Sequence, residues 1–154
     1  MVSMKHLRFL GKLSAATLLV FTVACGPSLT LTNVDYAQPM ESVATPDQDG
    51  MVEDVRLGLS FDVTPLNVKE HGEGASLPEE VRFIRSRDGF YFVTSPGYNN
   101  VYVFEPDGRN LELHEIIHVS EAGLANPAFN QRSPEIQLID GDQEYRLTKD
   151  GLAN

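Results

Sequence analysis

The sequence predicts an all-β protein: an antiparallel β-sandwich, immunoglobulin-like in size, of about seven strands. Three observations carry this. In "DVRLGLSFDVT", Val55, Leu57, Leu59, Phe61 and Val63 alternate with Arg56, Gly58, Ser60, Asp62 and Thr64. A period of two puts all five apolar side chains on one face of a strand, whereas a helix would scatter them. Short runs of β-branched and aromatic residues then recur at close intervals. Finally, Asp-Gly, a pair that favours the positive φ of tight hairpin turns, occurs at Asp49, Asp88, Asp107, Asp140 and Asp150.

Taken in order, the chain opens with an export signal over residues 1–24. Lys5, His6, Arg8 and Lys12 form a basic start, and Leu13 to Ala24 follow without a charge. That stretch is shorter than the roughly 20 apolar residues a bilayer core requires, but it suits the apolar region of a signal peptide. Its end, Thr22-Val23-Ala24-Cys25 followed by Gly26, resembles a bacterial lipobox. Thr22 departs from the usual leucine. The resemblance implies cleavage before Cys25 and lipidation of its thiol, which fastens the protein to the lipid bilayer. Cys25 is the single cysteine and has no disulfide partner in the chain, which fits the same expectation. Gly26, in place of the aspartate that retains many lipoproteins at the inner membrane, implies an outer-membrane rather than an inner-membrane address.

Residues 25–50 read as the lipidated cysteine and a tether rich in Pro, Ser and Thr, with a first edge strand at Leu29 to Val34. Residues 51–154 read as the sandwich domain. Its strands are the alternating segment from Val55, then Val81 to Ser86, Gly89 to Ser95, Asn100 to Glu105, "EIQLID" and "QEYRLT". The Asp-Gly pairs at Asp88, Asp107 and Asp140 fall between strands. Without the signal's Lys5, Arg8 and Lys12, nine Lys and Arg face 22 Asp and Glu, a formal charge of −13. Such a surface repels nucleic acid and anionic headgroups.

Chemistry is sparse. "HEIIH", His114 to His118, resembles the His-Glu-x-x-His signature of the zincin metalloproteases. The resemblance implies zinc on His114 and His118, with Glu115 as general base. Asn110 as N-cap and Gly123 at the C-terminal end favour the helix this requires. Against it, Ile-Ile-His-Val is better strand than helix material, and the segment follows Asp107-Gly108 as a hairpin's return arm would. Glu112, Ser120 and Glu121 break the fuller zincin pattern. The remaining candidates for a third ligand, Glu135 and Glu144, lie in predicted strands. The prediction is therefore a strand without zinc, which still leaves the two histidines on one face as a chance surface metal site.

Six of the 13 aromatic residues crowd into Phe90 to Phe104. Phe90 and Phe92 are expected on one face of a strand and Tyr91 on the other. Tyr91, Tyr98 and Tyr102 are candidates for a carbohydrate- or peptide-binding platform. Glu121 to Pro134 reads as the longest irregular stretch, with Phe129 and Arg132 as natural contacts of a binding loop. An EF-hand loop, Gly-x-Ser-x-Gly and a phosphate-binding glycine loop are all absent from the sequence. The expectation is a small acidic envelope lipoprotein without a cofactor. It would act as a non-catalytic binding or structural module for another envelope or surface protein. Its rivals are a small zinc hydrolase and a carbohydrate- or peptide-binding β-module.

Overall fold

A computed structural model describes residues 40–153; the signal, Cys25 and the strand expected at Leu29 to Val34 lie outside the described residues. The expected antiparallel all-β sandwich is what the chain forms. Its elements are β1 (Ser42–Ala44), β2 (Met51–Asp54), β3 (Leu59–Asp62), α1 (Thr64–His71), β4 (Val81–Arg85), β5 (Tyr91–Thr94), β6 (Asn100–Asp107), β7 (Asn110–His118), β8 (Pro127–Arg132), β9 (Glu135–Asp140), β10 (Gln143–Thr148) and β11 (Gly151–Leu152). A five-stranded sheet runs in the order β1-β4-β5-β6-β7, a four-stranded sheet in the order β11-β10-β9-β8, and β2 pairs with β3 alone. No helix among the described residues is long and apolar enough to cross a membrane.

The two large sheets enclose one core, which includes Ile84, Phe92, Val101, Val103, Ile117, Leu138 and Leu147. The five-stranded sheet is buried on its other face as well. There Val81, Phe83, Val93, Tyr98 and Tyr102 pack with Val52, Val63 and Leu66 from the β2–β3 hairpin and α1. Strand β5 is therefore buried along its whole length, with Phe92 in the first core and Val93 in the second. Phe90 packs on the same side as Phe92, as alternation requires.

Glycine sets the turns, in a position slightly different from the one expected. In β6–β7 the last pair is Asp107↔Asn110, and in β9–β10 it is Asp140↔Gln143. Each aspartate thus ends its strand, and Gly108 and Gly141 take the first turn position at φ +59° and +60°. A side chain there would meet the left-handed penalty.

The alternating segment from Val55 to Val63 is not one strand. Residues 55–58 form the turn between β2 and β3, and Val55 is 94% exposed. Asp54 causes the break: its carboxylate accepts the Leu57 N–H at 3.0 Å, and Gly58 closes the turn at φ +61°. The chain leaves β3 directly into α1. Asp62 accepts the Thr64 N–H at 2.8 Å, and Pro65 occupies the first turn, where no N–H is needed.

The five-stranded sheet also draws in residues before Met51. Ser42 of β1 donates to the Asp54 carboxylate, which ties this edge strand to the β2–β3 hairpin. Glu41, one residue earlier, joins the two large sheets. Its carboxylate accepts the Phe129 N–H of β8 at 2.8 Å and meets Arg82 of β4 at 3.3 Å.

Candidate functional site

The "HEIIH" residues lie in β7, a strand, so the helical zincin geometry is absent. The two histidines do not share a face either. Val103 pairs with Glu115 but Phe104 pairs with Leu113, so His114 is the extra residue of a β-bulge. A bulge reverses the alternation beyond it. His114 turns toward the four-stranded sheet, with Nε2 3.1 Å from Asp150 and its ring 5.0 Å from that of Phe90. His118 turns toward the α1 side, 3.2 Å from Asn100 Oδ1 and 3.2 Å from Glu121. Glu115 accepts the N–H of its own neighbour Ile116 at 2.9 Å. Among the described residues, no three His, Cys, Asp or Glu side chains are grouped to hold a metal.

Two further expectations are corrected. Residues 127–132 of the supposed loop are β8, which supplies an edge to the four-stranded sheet. Phe129 is 4% exposed and belongs to the main core, and Arg132 is held by Gln137 Oε1 at 3.0 Å. Asn126, Pro127 and Pro134 mark its flanks, and they masked a strand whose interior is ordinary. The tyrosine platform also dissolves, because Tyr98 and Tyr102 are fully buried under α1.

Those tyrosines belong to a polar knot centred on Glu70. Its carboxylate accepts the Asn99 N–H at 2.7 Å, the Asn100 amide at 2.8 Å and the Tyr102 hydroxyl at 2.6 Å. Burial pushes the Tyr102 phenol well above its ordinary range, and the bond to Glu70 pushes it further; burial and the Glu70 charge do the same to Tyr98. His71 lies edge-on to Tyr98, with ring centroids 5.6 Å apart. The Tyr98 hydroxyl and Asn67 Oδ1 are buried without a partner among the described residues. A carboxylate holding three donors is an anchor for the helix rather than a free base. We assign this knot to packing.

An open concavity lies elsewhere. A recess of about 620 Å³ separates the β2–β3 tip from the β6–β7 tip and is lined by Leu59, Ser60, Phe61, Tyr91, Arg109 and Leu111 among others. Phe61 is fixed by an edge-to-face contact with Phe83 at 5.6 Å. Tyr91, on the face of β5 opposite Phe90 and Phe92, carries the Arg85 guanidinium 5.7 Å above its ring centre. Strand β3 turns its unpaired edge toward this space, since β2 contributes nothing to the lining. Val63 donates to Gly50 O at 2.9 Å. Antiparallel alternation then aims Phe61 and Leu59 backbone groups at β2, and the Ser60 N–H and C=O outward. Of the tyrosines proposed from sequence, only Tyr91 reaches the recess. Arg109 and Ser60 went unnoticed because they converge from hairpins far apart in sequence, and Arg85, stacked on the Tyr91 ring, borders the recess without lining it.

Comparison with known protein families, curated proteins and solved structures finds no match to this chain.

Proposed function

We propose that this chain is an exported envelope lipoprotein, anchored in the outer membrane through acylated Cys25, whose sandwich domain binds another envelope or surface protein and catalyses nothing. The observation that carries the binding role is the recess between the two hairpin tips, where Tyr91, Phe61 and Arg109 line an open space against an unpaired strand edge. Ligand sites are typically concave and furnished with a few convergent polar groups. The residues with catalytic chemistry are by contrast engaged in packing or separated on opposite faces of β7.

The anchor is tested by metabolic labelling with palmitate in a bacterial host. The native chain takes up label and sediments with membranes, whereas Cys25→Ala remains unlabelled. Equal labelling of the variant removes the anchor. The recess is tested by placing a photo-crosslinking amino acid at Arg109 or Ser60 in cells, with Lys69 as an outside control. Discrete adducts from the recess positions alone support binding there, and adducts at none of them remove it. Zinc addition is expected to give no stoichiometric binding sensitive to His114→Ala. One equivalent held through His114 would restore the hydrolase.

A further inference from the structure

We infer that the recess receives an extended acidic peptide, added as a strand to the open edge of β3, with its carboxylates on Arg109 and Arg85. This deepens the binding role proposed above and rests on it.

Charge is the first argument. The mature chain is strongly acidic, yet none of the residues lining the recess is Asp or Glu. Arg56, Arg82, Arg146 and Lys149 each lie against a carboxylate. Arg109, in the lining, has no acidic partner within 4.0 Å among the described residues, and Arg85 has only the Tyr91 ring. Arg132 also lacks a carboxylate among the described residues but is held by Gln137, which leaves Arg109 and Arg85 available for a carboxylate from outside. Asp107, at the same hairpin tip as Arg109, stays outside the lining. The protein's overall negative charge does not forbid this. Charges beyond about 8 Å are largely screened at physiological ionic strength, whereas an arginine–carboxylate contact acts at hydrogen-bond range and is charge-assisted.

Backbone geometry is the second argument, and it selects a peptide over another anion. The outward N–H and C=O of Ser60 are the pair that an incoming strand uses, and Ser60 is solvent-exposed. Strand addition draws affinity from such main-chain bonds and specificity from alternate side chains. A peptide alternating acids with small residues would present its carboxylates on one face, toward the two arginines.

The test uses the full chain purified in non-ionic detergent and fluorescein-labelled ten-residue peptides alternating Thr with Glu, Gln or Lys, read by fluorescence anisotropy. The Glu peptide is expected to bind, and the Gln and Lys peptides to bind at least tenfold more weakly. Arg109→Gln and Arg85→Gln each weaken the Glu peptide by about tenfold, the scale of one charged hydrogen bond. Lys69→Gln makes the same change in net charge outside the recess and leaves affinity unchanged. Ser60→Pro, which removes one outward N–H at an edge position that tolerates proline, weakens binding with both arginines in place. Circular dichroism of each variant confirms that the fold is retained. Equal binding of the Glu and Gln peptides, or indifference to Arg109 and Arg85, overturns the acidic specificity. Full affinity in Ser60→Pro, or stronger binding of polygalacturonate than of the Glu peptide, overturns strand addition. If these fail while photo-adducts still form at Arg109, the binding role stands without this ligand class; if the adducts are absent too, both fall.

Discussion

The two faces of the five-stranded sheet are buried by different means. Toward β8–β11 the contact is sheet on sheet, and its core is made of side chains such as Val103, Ile117, Leu138 and Leu147. Toward the β2–β3 hairpin and α1, the same sheet presents Tyr98 and Tyr102, and Glu70 fastens the cover by three hydrogen bonds. The difference follows from what each cover can supply. Neighbouring strands satisfy most backbone groups of a multi-stranded sheet, so it can offer a continuous apolar face. An eight-residue helix with only Leu66 and Asn67 buried cannot do so, and gains its attachment from directed polar contacts. One cover rests on area, the other on area reinforced by bonds at named atoms.

The largest effect is expected on the apolar face. Leu138→Ala removes a fully buried side chain between the sheets and should lower stability by about 3 kcal/mol in urea unfolding. A loss below about 1 kcal/mol would mean that this core is loosely packed. Next, Glu70→Ala should lower stability by about 2 kcal/mol, because it leaves Asn99, Asn100 and Tyr102 without their shared acceptor. Hydrogen exchange separates the two variants. Glu70→Ala should release protection in α1 while β9 and β10 remain protected. Uniform loss across both sheets would show that the two faces unfold as one unit.

The smallest effects are the most discriminating. Tyr102→Phe should cost about 1 kcal/mol at neutral pH, while Tyr98→Phe should be neutral or slightly stabilising, since the Tyr98 hydroxyl is buried without a partner among the described residues. Both phenols titrate higher folded than unfolded, principally through burial. Their contribution is therefore fully present below the ordinary value of 10.0 and is lost as the pH rises above it toward the folded values. Stability should fall progressively as the pH rises above about 10, and less steeply in the double phenylalanine variant. An unchanged slope would place both hydroxyls in water.

Much of the apolar face was legible in the sequence and little of the polar one. The segments that became β4, β9 and β10 alternate or run apolar between turn residues, and physics local to a few residues decides them. The β2–β3 turn was hidden because its four residues preserve parity, so Val55 and Leu57 continue a pattern that the backbone has already abandoned. For α1 the signs were present in Asp62, Pro65 and Gly72, but no apolar period accompanied them. The bulge at His114 has no local signature, and it decides which face each histidine of "HEIIH" takes. The recess could not be read at all, since Tyr91, Arg109 and Ser60 meet only after three hairpins have formed.

Glu41 has a mechanical meaning. A chain fastened at Cys25 pulls on the domain from the side of residue 40, and the first strand it reaches is β1, three residues long at the sheet's edge. A pull on that strand alone would peel it from β4 one rung at a time. Ahead of it stands a carboxylate gripping Arg82 in one sheet and the Phe129 backbone in the other. Under the anchoring proposed above, tension from the membrane would be divided between both layers before it reached the first rung of β1.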